Sequence, residues 1–587
     1  MAARKKAARR KANPASQPHR DPLRDDVPLR RWTILAHDPS IQGKHGAALT
    51  TQVTVPAERL EPGPKGHRIH VVDFDASSDL YYTSRTTDLE EDTFTDVIDT
   101  QELFENPHFH QQNTYAVAMA TLGEFESALG RPVSWGFDHP GHQLKVAPHA
   151  FAEANAYYSR QSESLSFGYF PGEEGTVFTC LAHDIVAHEC THAVLDGLRS
   201  FYLRPSSPDQ AAFHEGFADV VALLSLFKSV ELITVSLDPI TTRDNRIESK
   251  SLGWEALADN VIMKLAKQMG QEMSHIRGHA LRHSVELRPD PRFYLSHSDY
   301  IESHKRGEIL VAVLMHAFLD LWGARLDLLG RDHHTSLNRQ VVAEEGTKSA
   351  SQLLKIAIRA LDYMTPVDMT FRDYLSALLT ADIQLNPDDT RYGYREHLVR
   401  WFKKYGVTPP EAARSDGTWQ PPPVDRFSLD GSHFERLQRD PDAVFRFIWE
   451  NRLPLNIDRD AFTRVTSVRP VMRVSNDQSV LRETVVEYIQ TLKVFASELA
   501  SLEIRKPDGL STRTLITLYG GGTLIFDEFG RLKFHIASGV RSPHQSARLQ
   551  SLYERGYFRR DEAVTTSFAQ LHRTRAIARV IDPKEQW

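Results

Sequence analysis

The sequence predicts an α+β fold, and three observations lead to that prediction. Residues 30–100 hold short runs that alternate apolar and polar side chains between Pro and Gly, which is typical of strands. Apolar residues in the middle of the chain recur at helical spacing, most clearly at Ile309–Trp322. Strand patterns return at Thr514–His535, after a Pro-rich segment. We therefore expect a β-rich N-terminal lobe, a mainly helical lobe and a small α/β domain.

The bulk composition is that of a soluble protein with several domains. The 587 residues are 41% hydrophobic and 25% charged, which are ordinary globular values. The net charge of -7 argues against nucleic-acid binding by the whole surface. We find no run of about 18 apolar residues that would predict a membrane helix. The two cysteines, Cys180 and Cys190, are too few for a disulfide framework, so we expect a cytoplasmic protein without membrane contact.

Residues 1–28 form a basic and then polar stretch that includes Arg4, Lys5 and Lys6. A secretory signal would need an apolar segment after these charges, and none follows. We expect a disordered tail, and the alternative is an arm that tethers nucleic acid or an acidic surface. Nucleic acid is thus expected as a partner only through this tail.

Three elements are predicted before the centre of the chain. Arg68–Asp75 and Gln143–Pro148 are predicted strands. Between them, apolar residues at helical spacing predict a helix over Asn113–Leu129, which Gly130 terminates.

The segment Asp184–Val194 contains the pattern His188-Glu189-x-x-His192 and has neither Gly nor Pro, so we predict a helix. Residues four apart share a helix face, so the two histidines can bind one metal ion. Glu189 is the next residue round the helix, where it can reach a water bound to that metal. This is the arrangement of zinc hydrolases. Cys190 points about 200° away from His188 and is expected in the core.

A second apolar helix starts near Phe213 and carries Glu215 and Asp219 on one face. Two carboxylates on a buried helix are unfavourable unless positive charge compensates them, as a metal and its ligands would. Glu215 is a better third ligand than His214, because Asp219 can support a ligating imidazole. The other histidines are expected to be structural or solvated; they include His108, His110, His183, His214, His316, His333 and His334.

The second half of the chain is predicted to begin with helices at Ser349–Tyr363 and Thr370–Ala381 and one that ends near Tyr405. Thr418–Pro423 is the clearest linker. An amphipathic helix is predicted near Val480–Leu502.

A run of three glycines, Gly520–Gly522, interrupts the last strand pattern. It lacks the Lys-Ser/Thr and the helix of a phosphate-binding loop, so a hairpin bend or bulge is expected. The resulting regions are a tail (1–28), a β-rich region (29–105), a metallopeptidase domain (106–410), a linker (411–425) and an α+β accessory domain (426–587).

Three motifs together resemble the thermolysin-like gluzincin metallopeptidases. They are Asn155-Ala156-Tyr157-Tyr158, Asp184-Ile-Val-Ala-His188-Glu189-x-x-His192-Ala-Val and Glu215-x-x-x-Asp219, in the order that the family has, and the resemblance covers roughly residues 105–400. It implies that one zinc ion binds His188, His192 and Glu215. Glu189 would then be the general base, and Asp219 would orient a ligand histidine.

The resemblance also implies residues that contact the substrate. Asn155, Ala156 and Tyr157 would form an edge strand that pairs with the substrate backbone. His304, in the sequence His304-Lys-Arg306-Gly307, would stabilise the oxyanion, although the family's Asn-Ser is missing and Arg306 is an alternative. The family's oxyanion tyrosine corresponds to Tyr202. Its supporting arginine is either Arg288 or Arg292.

The chain also departs from the secreted members of this family. It shows no signal and no recognisable pro-segment, and Val220–Phe227 lacks the acidic residues of the family's double calcium site. An intracellular variant without that calcium pair is therefore expected. The Gly-x-Met-Glu-Asn element of gluzincin aminopeptidases is absent from the sequence, which favours internal cleavage.

The sequence thus predicts a zinc endopeptidase that acts on peptides or proteins. One alternative is a pseudo-peptidase that keeps zinc and binds a partner without cutting, although an intact Glu189 argues against it. Another is a restrained effector that cuts only when a regulatory partner engages its C-terminal domain.

Overall fold

The computed structural model describes residues 29–558, except 38–48, 86–90, 96, 98–99, 138–141, 173–174, 205, 260–285, 331–334, 389–390, 424–426, 428–433 and 475–479. The tail at residues 1–28, with its nucleic-acid expectation, lies outside the described residues, as do His333 and His334. The fold is mixed α+β, as predicted.

The first half of the chain builds a hairpin and a mixed sheet. Its strands are β1 (Leu29–Leu35), β2 (Thr50–Pro56), β3 (Ile69–Val71), β4 (Phe74–Asp75), β5 (Leu80–Tyr81), β6 (Leu144–Phe151), β7 (Ala156–Ser159), β8 (Ser164–Pro171) and β9 (Thr176–Phe178). The mixed sheet has the order β3-β6-β8-β7, with β9 also paired to β8. The strands predicted at Arg68–Asp75 and Gln143–Pro148 both lie in this half. Strands β3 and β6 lie on opposite sides of the domain boundary predicted at residue 105, and their parallel pairing joins the two regions.

Helices dominate the centre of the chain. They are α1 (Thr100–Glu105), α2 (Pro107–Leu129), α3 (His183–Leu198), α4 (Pro208–Leu226), α5 (Val230–Ser236), α6 (Trp254–Leu257), α7 (Ser303–Leu328), α8 (Arg339–Arg359), α9 (Phe371–Leu385) and α10 (Tyr394–Lys404). Two short strands, β10 (Arg246–Glu248) and β11 (Ser336–Asn338), pair with each other. The helices predicted in this part of the chain are confirmed, but α2 and α8 start earlier than predicted. Asn106 caps α2, and Pro107 occupies its first turn.

Helices α4 and α7 cross at a contact between two glycines. A Cβ atom added to Gly216 on α4 would lie 2.6 Å from the carbonyl oxygen of Gly307 on α7, so the backbones touch where side chains would keep them apart. Gly216 follows Glu215, and Gly307 lies one turn after His304. The crossing therefore brings the first turn of α7 to the Glu215 end of α4.

Helix α7 is the one helix in the described part of the chain that is long and apolar enough to cross a membrane. Its 18-residue apolar window is 83% buried inside the protein, and the core helix of a soluble protein passes the same test. The apolar run predicted at Ile309–Trp322 lies inside this helix.

The C-terminal region adds a four-stranded antiparallel sheet, in sequence order. Its elements are α11 (Phe434–Leu437), α12 (Pro441–Glu450), β12 (Phe462–Val474), β13 (Val480–Phe495), β14 (Leu515–Phe526), β15 (Leu532–Ser538) and α13 (His544–Glu554). The helix predicted near Val480–Leu502 is wrong, because most of that segment is strand β13. Residues 483–490 of β13 are buried on both faces, so their apolar pattern lacks the alternation that marks a strand.

The bend predicted at Gly520–Gly522 is also wrong, since β14 continues through all three residues. A Cβ atom on Gly521 would lie 2.4 Å from the carbonyl oxygen of Tyr488 on the neighbouring strand. The glycines therefore allow close approach of strands rather than a turn.

This sheet packs on the helical part and shares its core. Val471, Val485 and Ile525 belong to the same buried cluster as the apolar residues of α2 and α8. The predicted linker contributes as well, because Trp419 is 8% exposed and its indole donates to the carbonyl of Tyr363. The C-terminal region is thus continuous with the core.

Candidate metal centre

Helix α3 presents His188 and His192 one turn apart. Their rings lie 4.4 Å apart between centroids and are perpendicular, at 90°. Both side chains are buried, with 1% and 0% exposure. The helical spacing thus turns two histidines to one side, as the sequence predicts.

Glu215 on α4 faces these two histidines. Its Oε2 atom lies 3.6 Å from His188 Nε2 and 3.7 Å from His192 Nε2. One ligand atom from each residue lies within 4.8 Å of the others, so a single metal ion can bind all three. Two imidazoles and one carboxylate are the donor set of a catalytic zinc site, so these residues fit that metal.

The outer nitrogens of the two histidines also have partners. His188 Nδ1 lies 2.7 Å from Asp219 Oδ1, and His192 Nδ1 lies 2.8 Å from His214 Nδ1. These contacts turn both Nε2 atoms toward Glu215. Burial lowers the pKa of His214 to about 4, so its ring is neutral at ordinary pH.

The contact of His214 was missed in the sequence, where this residue and Glu215 were treated as competitors for one position. Neighbouring residues on a helix differ by about 100°, so one can face the metal position while the other reaches the back of a ligand. The buried, apolar character of α4 was the available indication.

Glu189 is fully buried beside the two histidines, and its Oε2 accepts a hydrogen bond of 3.0 Å from the backbone N–H of Tyr158 on β7. Strand β7 lies at the edge of its sheet. Alternate residues of a strand point their backbone groups to the same side, so Ala156 also has its N–H and carbonyl on the edge toward α3. The carboxylate of the predicted base thus lies against the predicted substrate strand.

Asn155 and Tyr157 line a cavity of about 630 Å³ at this strand. Tyr157 stacks on Phe151, with centroids 5.4 Å apart. Its side chain lies on the opposite face of β7 from Ala156 and Tyr158, because side chains alternate along a strand. Asn155 Oδ1 accepts from the N–H of Ala156 at 2.9 Å.

His304 lies in the first turn of α7, where Glu302 caps the helix. Its Nδ1 lies 2.8 Å from Glu302 Oε1, and its Nε2 lies 3.4 Å from Glu215 Oε2. Burial opposes ionisation of Glu302, but the hydrogen bond from His304 lowers the pKa of Glu302 to about 2. The structure therefore brings His304 to the same centre as the three candidate ligands.

The two other residues considered for the oxyanion each have partners in the fold. The guanidinium of Arg306 binds Asp209, in the first turn of α4, and the carbonyl of Tyr300, so it links α4 to the start of α7. The hydroxyl of Tyr202 donates to the carbonyl of Thr365 at 2.7 Å in the core. Both groups thus have a structural use, and their role toward an oxyanion stays a prediction.

Neither candidate for the supporting arginine is buried. Arg288 and Arg292 are both exposed, whereas the carboxylate that they would support is 3% exposed. Cys190 is fully buried, as predicted for a core residue, and its thiol contacts the carbonyl of Ala118 at 3.4 Å.

Neither a scan against protein-family models nor a search of curated proteins finds a match to this chain. Its chemistry must therefore be argued from the site.

Proposed function

We propose that the chain is a zinc-dependent endopeptidase with a thermolysin-like core. The observation that carries the proposal is the convergence of His188, His192 and Glu215 within 4.8 Å, with Glu189 next to His188 on the same helix. His188 and His192 would hold the ion through Nε2, and Glu215 through a carboxylate oxygen. When bound, zinc polarises a carbonyl and lowers the pKa of a coordinated water.

Glu189 would serve as the general base. Its carboxylate takes a proton from the attacking water and delivers it to the leaving amine. The N–H of Tyr158 binds Oε2 and so fixes the orientation of this carboxylate.

His304 would stabilise negative charge on the substrate carbonyl oxygen. Glu302 engages Nδ1 and so turns Nε2 toward Glu215, where the ring can donate to the oxygen when both nitrogens carry protons. A hydrogen-bond donor that is already in position costs no reorganisation during the reaction.

An extended peptide would add to the edge of β7. Such strand addition takes affinity from backbone hydrogen bonds, and Ala156 has its backbone groups on the required edge, where a substrate would take the place of Asn155 Oδ1 at its N–H. The scissile bond would then lie next to Glu189, because Tyr158 on the same strand contacts that carboxylate. A strand edge can bind a chain that extends in both directions, so internal cleavage of a peptide or protein fits this arrangement.

The test compares wild type with Glu189→Gln on an unfolded protein mixture, with zinc content measured in parallel. We expect cleavage to fall about 100- to 10,000-fold with zinc retained, because the amide keeps the shape of the carboxylate but accepts no proton. Glu411→Gln, at an exposed position, is the matched control and should cleave normally. Equal cleavage by wild type and Glu189→Gln would contradict the mechanism. Zinc binding without cleavage by wild type would favour the partner-binding or restrained alternatives.

A further inference from the structure

A second cluster of metal-ligand side chains lies apart from the centre on α3 and α4. It consists of His110 on α2, His149 on β6 and Cys180 in the 3₁₀ turn before α3. One ligand atom from each lies within 4.8 Å of the others. The three residues are buried, with 1%, 1% and 0% exposure.

The hydrogen bonds of the two histidines fix where their protons are. His149 Nδ1 lies 2.9 and 3.1 Å from the two carboxylate oxygens of Asp73, which also accepts from Gln111. His110 Nε2 lies 2.9 Å from the carbonyl oxygen of Phe104. Both partners accept hydrogen bonds, so each outer nitrogen carries a proton.

The inner nitrogens are His110 Nδ1 and His149 Nε2. They face each other at 2.8 Å in a buried place. A proton on one of them makes this contact a hydrogen bond, and a metal ion in place of that proton would bind the lone pairs of both nitrogens. A carboxylate and a carbonyl behind the imidazoles are the usual supports of ligating histidines.

We propose that His110, His149 and Cys180 form a second metal site that takes a thiophilic ion, Zn²⁺ or Cu⁺. Two imidazoles and one thiolate are the donor chemistry that such ions prefer. With metal–nitrogen bonds of about 2.0–2.1 Å, the two nitrogens would separate to about 3.3 Å on binding. The thiol of Cys180 loses its proton to become a ligand.

The position of the cluster gives it a structural role. It joins α2, β6 and the turn that leads directly into α3, the helix that carries His188 and Glu189. A metal here would hold the start of α3 against the sheet. The inference does not rest on the peptidase proposal, because it uses none of its residues.

The test is a Co²⁺ titration of the full-length, metal-stripped protein, followed by the near-ultraviolet thiolate-to-cobalt charge-transfer band. The chain has two cysteines, Cys180 and Cys190, so only these can produce the band. We expect it in wild type and in the matched control Cys190→Ser, which alters the other buried cysteine. Cys180→Ser should lose the band and one of two bound metal ions per chain.

A second variant covers the case in which Cys180→Ser does not fold. His188→Ala/His192→Ala removes the ligands of the α3–α4 centre and should keep one metal ion and the full thiolate band. Absence of the band from wild type, or its persistence in folded Cys180→Ser, overturns the proposal. Displacement of Co²⁺ by Zn²⁺ and by Cu⁺ in separate titrations then identifies the preferred ion.

Discussion

Asp219 and His214 hold the two candidate zinc ligands from behind, and their contribution can be measured one residue at a time. Asp219→Ala removes the carboxylate that lies 2.7 Å from His188 Nδ1. We expect zinc affinity to fall about 10- to 100-fold, the usual effect of losing such a partner. Competition with a chelator measures it.

Asp219→Asn is the matched control for this prediction. Its side-chain oxygen still accepts from His188 Nδ1, so we expect a smaller loss than in Asp219→Ala. Equal zinc affinity in Asp219→Ala and wild type would show that the contact does not support the ligand.

At the residue scale, helical spacing paired His188 with His192 and Glu215 with Asp219, and the resemblance to the gluzincin motifs joined the two pairs. The remaining site contacts depend on how elements meet. Tyr158 reaches Glu189 only because β7 packs on α3. Local patterns contain no such information, which is why the partners of Tyr202 and Arg306 could not be predicted from the sequence.

At the scale of elements, the crossing of α4 and α7 sets the distance between Glu215 and His304. Gly216→Ala would place a Cβ 2.6 Å from the carbonyl oxygen of Gly307, a backbone atom that cannot rotate away. We expect a stability loss of about 1–3 kcal/mol from this overpacking. The rate of cleavage should fall by a larger factor than the zinc content, because the displaced α7 would move His304 away from Glu215.

Gly123→Ala is the matched control for this crossing. Gly123 lies within α2, and a Cβ there meets nothing within 4 Å, so the change should stabilise by about 0.4–1 kcal/mol. Thermal unfolding midpoints and cleavage rates compare the two variants. A Gly216→Ala protein as stable and active as wild type would show that the contact does not set the geometry.

Most element types in the described residues were predictable, and the failures share one cause. Strand β13 is buried on both faces, and β14 runs through three glycines. In both strands, contacts with neighbouring strands determine the structure, so neither the alternation of apolar residues nor the glycines indicate it locally. Elements with one solvent face, such as the strongly amphipathic α10, have no such ambiguity.

At the scale of the whole molecule, the C-terminal sheet is not separable from the helical part. Asp362, which follows α8, binds Arg131 at 2.6 and 2.7 Å and also Arg473 of β12. Arg473 in turn binds Glu483 of β13 at 2.7 Å. Removal of the C-terminal region by cleavage at 421–423 would thus leave these buried charges unsatisfied. A change in activity after such cleavage would therefore not distinguish release of a restrained peptidase from loss of folding.

This network predicts a specific dependence of stability on pH. Burial opposes ionisation of Asp362, but Arg131 and Arg473 hold the pKa of Asp362 well below its ordinary value of 3.8. A carboxyl whose folded pKa is depressed stabilises fully above its unfolded pKa and loses that contribution as the pH falls through its folded pKa. We therefore expect the contribution of Asp362 to be complete at neutral pH and to decline below about pH 3.8.

Asp362→Asn tests this network directly. The substitution leaves two buried guanidinium groups without their shared charge, and we expect a loss of about 3–5 kcal/mol at neutral pH. The control is Asp460→Asn, in the C-terminal region. The carboxylate of Asp460 is 73% exposed and pairs with Arg541. It should change stability by less than about 0.5 kcal/mol. Denaturant unfolding, with proteolysis between 411 and 425 as a readout of sheet docking, compares the two. Equal stability would mean that this network does not attach the sheet, and that the buried Arg199–Glu487 pair and the apolar contacts carry the attachment instead.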